Sequence, residues 1–510
     1  MNRPMDDAWR WRFWTLLAIV VGLPLLAAVL LALRFLPDRP VTYANIEDHF
    51  KYGSTGGERN AGFPLFIWKV LPVVFKDKLP PNGGEGYEAF GMIYENDEQG
   101  RRRELPVGIM RRRNLGLDRV FVNCAVCHTT TAREAPGQPR KVYVGTGASH
   151  FDLGLLEKFF GDIVVDERFN SNVLVPAIEK EVGVRLGLLD RYLIYPLAVF
   201  VMRERLMMVR NRFGPLETEK WGPGRVDTWN SAKAGLSFVI DKLPRHELQG
   251  AADFPSIWNQ RKRMRRDDGQ QMQLHWTGNN IEVKERNLSA ALATGATPAV
   301  IDHVAIGRLE TWLLDAAPPP FPFPIDEGKA RRGATMYAEY CASCHGKSGQ
   351  DFSGKWVGHV TPIDEVGTDR EHYNSYTYDL AANQNVFYAG TRYRFTHFRK
   401  TKGYANLPLD GIWLRGPYLH NGSVPTLREL LDPPESEAKG GSFRRSTFYR
   451  GYDVLDPVRV GFISDVPEEN GRKFTFYSTK ELTKSNGGHL YGVRLPAADK
   501  DAIVEYLKTF

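Results

Sequence analysis

Cysteine is scarce in this chain, with only 4 in 510 residues. All of them fall in two short motifs, Cys124-Ala125-Val126-Cys127-His128 and Cys341-Ala342-Ser343-Cys344-His345. No thiol is left for a structural disulfide, a further metal site or a nucleophile elsewhere. Fixed-period repeats are also missing, and so is any nucleic-acid-binding motif, so a nucleic-acid partner is set aside. Charge of one sign is only slightly in excess: 67 Lys and Arg against 60 Asp and Glu give +7, enough for solubility and too little to imply a polyanionic partner. The basic residues do cluster, at Arg101-Arg102-Arg103, Arg111-Arg112-Arg113 and Arg261–Arg266. Such clusters suit anionic lipid or an acidic redox partner.

Only the first forty residues hold a long apolar run. Phe13 to Leu33 carry no charge and are flanked by Arg10, Arg12 and Arg34. At about 1.5 Å per residue this stretch spans a bilayer core of about 30 Å. A cleaved signal peptide is the alternative, but the run is long for one and no small-x-small cleavage site follows it. The expectation is a cytoplasmic N-terminus (1–12), a transmembrane anchor (13–34) and the bulk of the chain in the periplasm of a bacterium, anchored in the inner membrane by a single pass. Arg3, Arg10 and Arg12 support that orientation; Arg34 and Arg39 dilute it.

Beyond the anchor, a first segment (40–317) holds the first motif. The run Pro318-Pro319-Pro320-Phe321-Pro322-Phe323-Pro324 can form neither helix nor central strand and reads as a stiff linker over 318–325. A second segment (326–510) opens with a helical run carrying Lys329, Met336, Tyr337 and Tyr340 up to Cys341. It closes with Pro496 followed by Ile503, Val504 and Leu507 at helical spacing. One helix before the motif and one at the C-terminus is the cytochrome c pattern. The predicted fold class is mainly α: two c-type cytochrome domains with long loop-rich insertions, preceded by one N-terminal transmembrane helix.

In C-x-x-C-H the two thiols bond covalently to haem vinyl groups and the His supplies an axial imidazole. Chance or zinc would have to explain two such motifs that use every cysteine behind an export segment. The reading is therefore two covalent haem c groups, on Cys124, Cys127, His128 and on Cys341, Cys344, His345. The sixth ligand decides function, because a haem with two strong ligands passes electrons and an open one binds peroxide or dioxygen. Of the 12 His, ten are not proximal, and His150, His275, His420 and His489 deserve weighing; Met336 is an outsider.

The order C-x-x-C-H, Leu274-His275-Trp276-Thr277-Gly278-Asn279, C-x-x-C-H, then Gly416-Pro417-Tyr418-Leu419-His420-Asn421-Gly422 resembles the bacterial dihaem cytochrome c peroxidase superfamily. The closer likeness is to its rubber oxygenase branch, on Phe50–Ser54, Gly224–Thr228, Ser256–Asn259 and Ala290–Pro298. The resemblance implies that Trp276 lies between the haems as an electron relay, with Thr277 in place of the family's Asp, and that His489 closes the C-terminal haem. It also implies that His420 stands near that haem without ligating it. For the N-terminal haem it implies either a displaceable His, for which His150 is placed, or a site open to dioxygen; His275 could approach its distal side. The peroxidases of the group carry a distal Glu after the bridging Trp. This chain has Leu292-Ala293-Thr294 in that neighbourhood, and Glu282 and Glu285 lie nearer. Without a placed proton acceptor, peroxide cleavage would lose a factor of about 10²–10⁴.

The expected function is a dihaem oxidoreductase, oxygenase or peroxidase-like. Its reactive haem is the one on His128, with Trp276 and His275 beside it, and its substrate is apolar or phenolic. Electrons would come from a redox partner protein or a small donor. The rival is a pure electron carrier. A pyridine haemochrome titration of the purified chain should give two haems, and Cys124→Ala with Cys127→Ala should leave one; a single haem in the wild type refutes the count.

Overall fold

The computed structural model describes residues 7–81, 83–214 and 220–510. Arg3 and its neighbours at the extreme N-terminus lie outside the described residues. The chain is a mixed α/β protein, with 42% helix and 12% strand, rather than the mainly helical one expected. The strands run only two to six residues, as in Arg39–Pro40 and Ile109–Asn114. Several are buried on both faces, such as Thr129–Ala132. A strand that short and buried throughout shows no alternation in sequence, which is why the pattern hid them.

The apolar segment is one continuous helix, Trp9–Phe35, of 27 residues with none of its apolar window buried. It is long and apolar enough to cross a membrane, and a signal sequence meets the same measure. Pro24 sits in the first turn after a π-helical stretch, Ala18–Gly22, where its missing N–H costs little.

Two different local structures deliver the two motifs. The first follows a hairpin, Ile109–Asn114 with Leu117–Val122. Leu115 and Gly116 turn the hairpin with φ of 51° and 73°, the left-handed pair that a two-residue turn needs. The chain leaves this hairpin at Asn123. That side chain accepts from Ala125 N (3.0 Å) and donates to Gly53 O (3.2 Å), fixing the start of the Cys124 turn. After His128, Thr129–Ala132 pairs with Lys141–Val144.

The second motif follows the helix Glu327–Tyr340, which is capped by Asp326 accepting from Lys329 N at 3.0 Å. The C-terminal helix Ala497–Leu507 crosses it. A Cβ on Gly333 would lie 1.9 Å from Ala502 O, so only glycine permits this approach. Tyr337 packs edge-on to Phe510 at 5.1 Å and to Tyr506 at 5.4 Å.

The early and late parts of the chain interlock. Buried Arg133, just after the first motif, pairs with Asp453 (2.7 Å) and Glu469 (2.7 Å), and Thr131 donates to Asp453 at 2.7 Å. Buried charges are tolerated only when paired and hydrogen-bonded in this way. The proline run lies along Trp413, whose indole donates to Pro319 O at 3.1 Å. One apolar core draws on Ala132 and Trp258 before that run and on Tyr337, Trp413 and Ile503 after it.

Replacing Gly333 by Val should push the two crossing helices apart at a cost of about 1–3 kcal/mol. The expected outcome is a lowered thermal midpoint with haem still attached; an unchanged midpoint would mean that the crossing can slide to absorb the side chain.

Candidate functional site

Cys341, Cys344 and His345 open onto a cavity of about 290 Å³, whose wall also includes His489, His420, Trp276 and Tyr404. His345 Nδ1 lies 2.8 Å from Leu407 O. Donating there leaves Nε2 as the ring's free lone pair. Across the cavity stands His489, with ring centroids 6.1 Å apart and planes inclined by 42°. Two imidazoles sharing one metal ion, each nitrogen about 2.0–2.1 Å from the metal and each centroid about 1.1 Å further back, stand about 6.3 Å centroid to centroid. The observed separation matches that spacing, and Cys341, Cys344 and His345 line the same cavity as His489, so these residues fit a haem iron.

Burial keeps both rings neutral, the form that binds metal. It pulls His489 down to about 3, with His345 and Arg444 adding repulsion, and lowers His345 too. Burial likewise raises the thiols, Cys341 to about 12 and Cys124 to about 11. Among the described residues no cluster of three or more His, Cys, Asp or Glu could hold a metal ion by itself.

The loop that carries His489 is held against its own preference. Gly488 and His489 both have left-handed backbone, φ 71° and 50°, which a residue with a Cβ adopts at a cost. Arg444, fully buried, pins this loop. It donates to Asn486 O (2.6 Å), Gly488 O (2.7 Å), His489 O (3.0 Å) and Leu430 O (2.9 Å). His489 N also donates to Val366 O at 2.7 Å. Burial lowers Arg444 to about 10, and carbonyls take the place of a carboxylate partner.

His420 is engaged differently. Its Nε2 lies 3.0 Å from Tyr404 Oη, and that hydroxyl donates to Asp369 O at 2.8 Å. The Tyr404 ring stacks on it at 4.1 Å. Its neighbour Leu419 is also left-handed, φ 67°.

At the first motif, His128 Nδ1 lies 2.9 Å from Pro255 O, again leaving Nε2 for a metal. Burial lowers its ring to about 4, and Arg286 adds to this. Among the described residues no ring stands to His128 as His489 stands to His345. Cys124 and Cys127 are half-buried beside it. Two residues back from Pro255, Asp253 O accepts from Trp276 Nε1 at 2.8 Å. One short segment therefore holds both His128 and the indole that lines the His345 cavity. Arg450 pairs with the Asp253 carboxylate at 2.9 Å, and Asp253 N donates to His420 O at 2.8 Å.

The remaining residues singled out from sequence lie apart from that cavity's wall. His275 is half-buried with φ 61°; it faces Trp229 edge-on at 6.2 Å, and its buried Nε2 has no hydrogen-bond partner. His150 sits by Thr130 (Nδ1 to Oγ1, 3.4 Å), with Arg472 and Asp453 as its charged surroundings. Met336 packs in the apolar core around Tyr337. Glu285 is taken up by Thr396 N (2.8 Å), His397 Nδ1 (2.8 Å) and Asn280 Nδ2 (3.0 Å). Glu282 caps the helix Val283–Ala293. Sequence reading missed Asp253, Arg444, Arg450 and Tyr404. Asp253, Arg450 and Tyr404 sit in strands of two to four residues and Arg444 at an isolated bridge, and no spacing signal marks any of them.

The geometry fits a c-type cytochrome site. Comparison with known proteins agrees: a family model described as RoxA-like, cytochrome c-like matches residues 403–439, the stretch with Tyr404, Leu407 and the Pro417–Gly422 turn. The uncharacterized protein y4iM of Sinorhizobium fredii is 30% identical over 300 residues, which is 50% of this chain and 64% of that protein. The uncharacterized protein y4iJ of the same organism is 25% identical over 482 residues, 77% of each chain. The chain thus covers less than two thirds of the first relative. These matches support a relationship to RoxA-like c-type cytochromes, with covalently bound haem c, and a cytochrome c domain points to an extracytoplasmic location.

Replacing His489 by Ala should convert one haem from low to high spin, visible in the Soret and charge-transfer bands. Arg444→Gln should do so partially by freeing the loop, whereas His420→Ala should leave the spin state unchanged. A spin change on losing His420 and none on losing His489 would show that the ligand is His420.

Proposed function

We propose that the chain is a membrane-anchored, periplasm-facing dihaem oxidoreductase of the dihaem peroxidase superfamily, nearest its rubber oxygenase-like branch. In this reading the haem on Cys124, Cys127 and His128 is reactive, and the haem on Cys341, Cys344, His345 and His489 relays electrons. The observation that carries it is the asymmetry of the two axial sites: His345 faces His489 at 6.1 Å, and among the described residues His128 faces no such ring. When bound, a haem with an open axial position supplies dioxygen or peroxide binding, and one with two imidazoles supplies one-electron transfer.

The protein's own groups supply orientation. Pro255 O and Leu407 O fix the tautomers of His128 and His345, each by one hydrogen bond. Asp253 O fixes the Trp276 indole in the wall of the His345 cavity, and in this reading that ring relays electrons between the two haems. Thr277, in place of the family's acid, has a buried hydroxyl with no partner, and Glu285 is already occupied. With Glu285 and Glu282 both engaged, neither offers a free carboxylate for proton transfer, and this reading favours dioxygen over peroxide at the N-terminal site. The aromatic and apolar surroundings of His275, with Trp229, Tyr376 and Leu288 in one cluster, suit an apolar or phenolic substrate. Electrons would arrive from a redox protein or a small donor.

The pure electron carrier draws on one observation. His275 Nε2 is buried without a partner, and a haem iron would satisfy it. Electron paramagnetic resonance of the oxidised protein separates the two readings. One high-spin and one low-spin signal are expected, together with carbon monoxide binding to one of the two reduced haems. A wholly low-spin spectrum with no carbon monoxide binding would leave the carrier.

A further inference from the structure

The longest helix outside the N-terminal segment turns an apolar face to the outside. From Leu188 the chain runs through a π-helical turn, Asp190–Ile194, into the helix Tyr195–Phe213. Tyr195, Val199 and Met202 point into the protein core. The other face exposes Leu188 (79%), Tyr192 (70%), Leu193, Leu197, Phe200 (61%) and Met208. Monomeric soluble proteins rarely expose so many large apolar side chains along one element, and a contiguous patch of this kind marks an interaction surface.

Two contacts fix where this face lies. Arg34, in the last turn of the apolar helix Trp9–Phe35, forms an ion pair with Asp190, at the head of the exposed helix. Next to it, the Phe35 ring closes on Gly116 at the tip of the hairpin, leaving no room for a Cβ there. The tip residue Leu115 and Leu36 beside it are exposed as well. The end of the apolar helix, the hairpin tip and the start of the exposed helix therefore meet at one place. The later part of the exposed helix carries Arg203, Arg205, Arg210 and Arg212 against a single acid, Glu204. Apolar side chains with arginines beside them are the composition of a helix lying in a lipid headgroup layer, and arginine can keep its stem in the acyl boundary with its head in water.

We propose that 188–209 is a second membrane element, an interfacial helix whose exposed face enters the outer surface of the same bilayer that Trp9–Phe35 crosses. The proposal rests on the anchor reading for its geometry. Arg34, at the end of the anchor, ties the interfacial helix to the membrane plane. The two attachments together hold the globular part in one orientation, with the helix side toward lipid.

The test uses the full chain in nanodiscs of phosphatidylethanolamine and phosphatidylglycerol carrying a photoactivatable diazirine phospholipid. Adducts are then mapped by peptide mass spectrometry. Adducts are expected within 188–209 as well as within 13–33. Leu193→Glu with Phe200→Glu should reduce those in 188–209 several-fold and leave those in 13–33 unchanged. Adducts confined to 13–33 in the wild type overturn the proposal. So does chain-to-chain crosslinking through 188–209 without lipid adducts, since a second copy would then cover the face. Adducts in 188–209 with none in 13–33 would sink the anchor and leave the interfacial helix standing.

Discussion

The segment Asp253–Pro255 is the constraint on which the site depends. Its two carbonyls hold the groups that must keep register. Pro255 O orients the His128 ring at 2.9 Å, and Asp253 O orients the Trp276 indole at 2.8 Å. The segment cannot drift, because Arg450 holds the Asp253 carboxylate and Phe254 N donates to Gly224 O at 3.1 Å. A backbone carbonyl has no rotamer to change, so each ring is fixed by one bond and the stiffness of the chain behind it. The distance between His128 and the cavity beyond Trp276 thus follows from backbone geometry and not from side-chain packing alone.

The His489 loop solves a related problem at the other motif. Two consecutive left-handed residues point the ring across the cavity, and a glycine can supply only the first of them. The second costs backbone energy, which is offset by the four carbonyls that Arg444 gathers. Left-handed backbone recurs at Leu419 beside His420, where Tyr404 and Asp369 close a hydrogen-bond network. The apolar helix and the exposed helix meet at the opposite kind of surface, where arginine and large apolar side chains face outward together.

Much of the site was legible because covalent haem chemistry fixes spacing along the chain. Both C-x-x-C-H motifs, the Pro417–Gly422 turn inside the matched 403–439 stretch and the helices on either side of the second motif could all be read from residue order. The strands around the first motif could not. They are four to six residues long, and Thr129–Ala132 is buried throughout while Ile109–Asn114, Leu117–Val122 and Lys141–Val144 show no strict alternation of buried and exposed positions, so they have no period to detect. Arg444, Asp253 and Arg450 escaped for a different reason: their partners lie far away in sequence, and a lone polar residue in a short strand or a loop carries no pattern.

Sequence alone determined the attachment chemistry, because a thiol pair and an adjacent imidazole must be contiguous to reach one ring system. It also determined the apolar segment, since length and lack of charge are properties of a contiguous run. The resemblance pointed to His489, but only the tertiary structure brings its ring across the cavity from His345, since His489 is separated from it by most of the second segment and arrives through a strained loop. It also decided that the proline run packs against Trp413 and shares its core with both halves of the chain. Axial pairing and core sharing depend on distances across the fold, and those are set by loop closure and packing that no local spacing encodes.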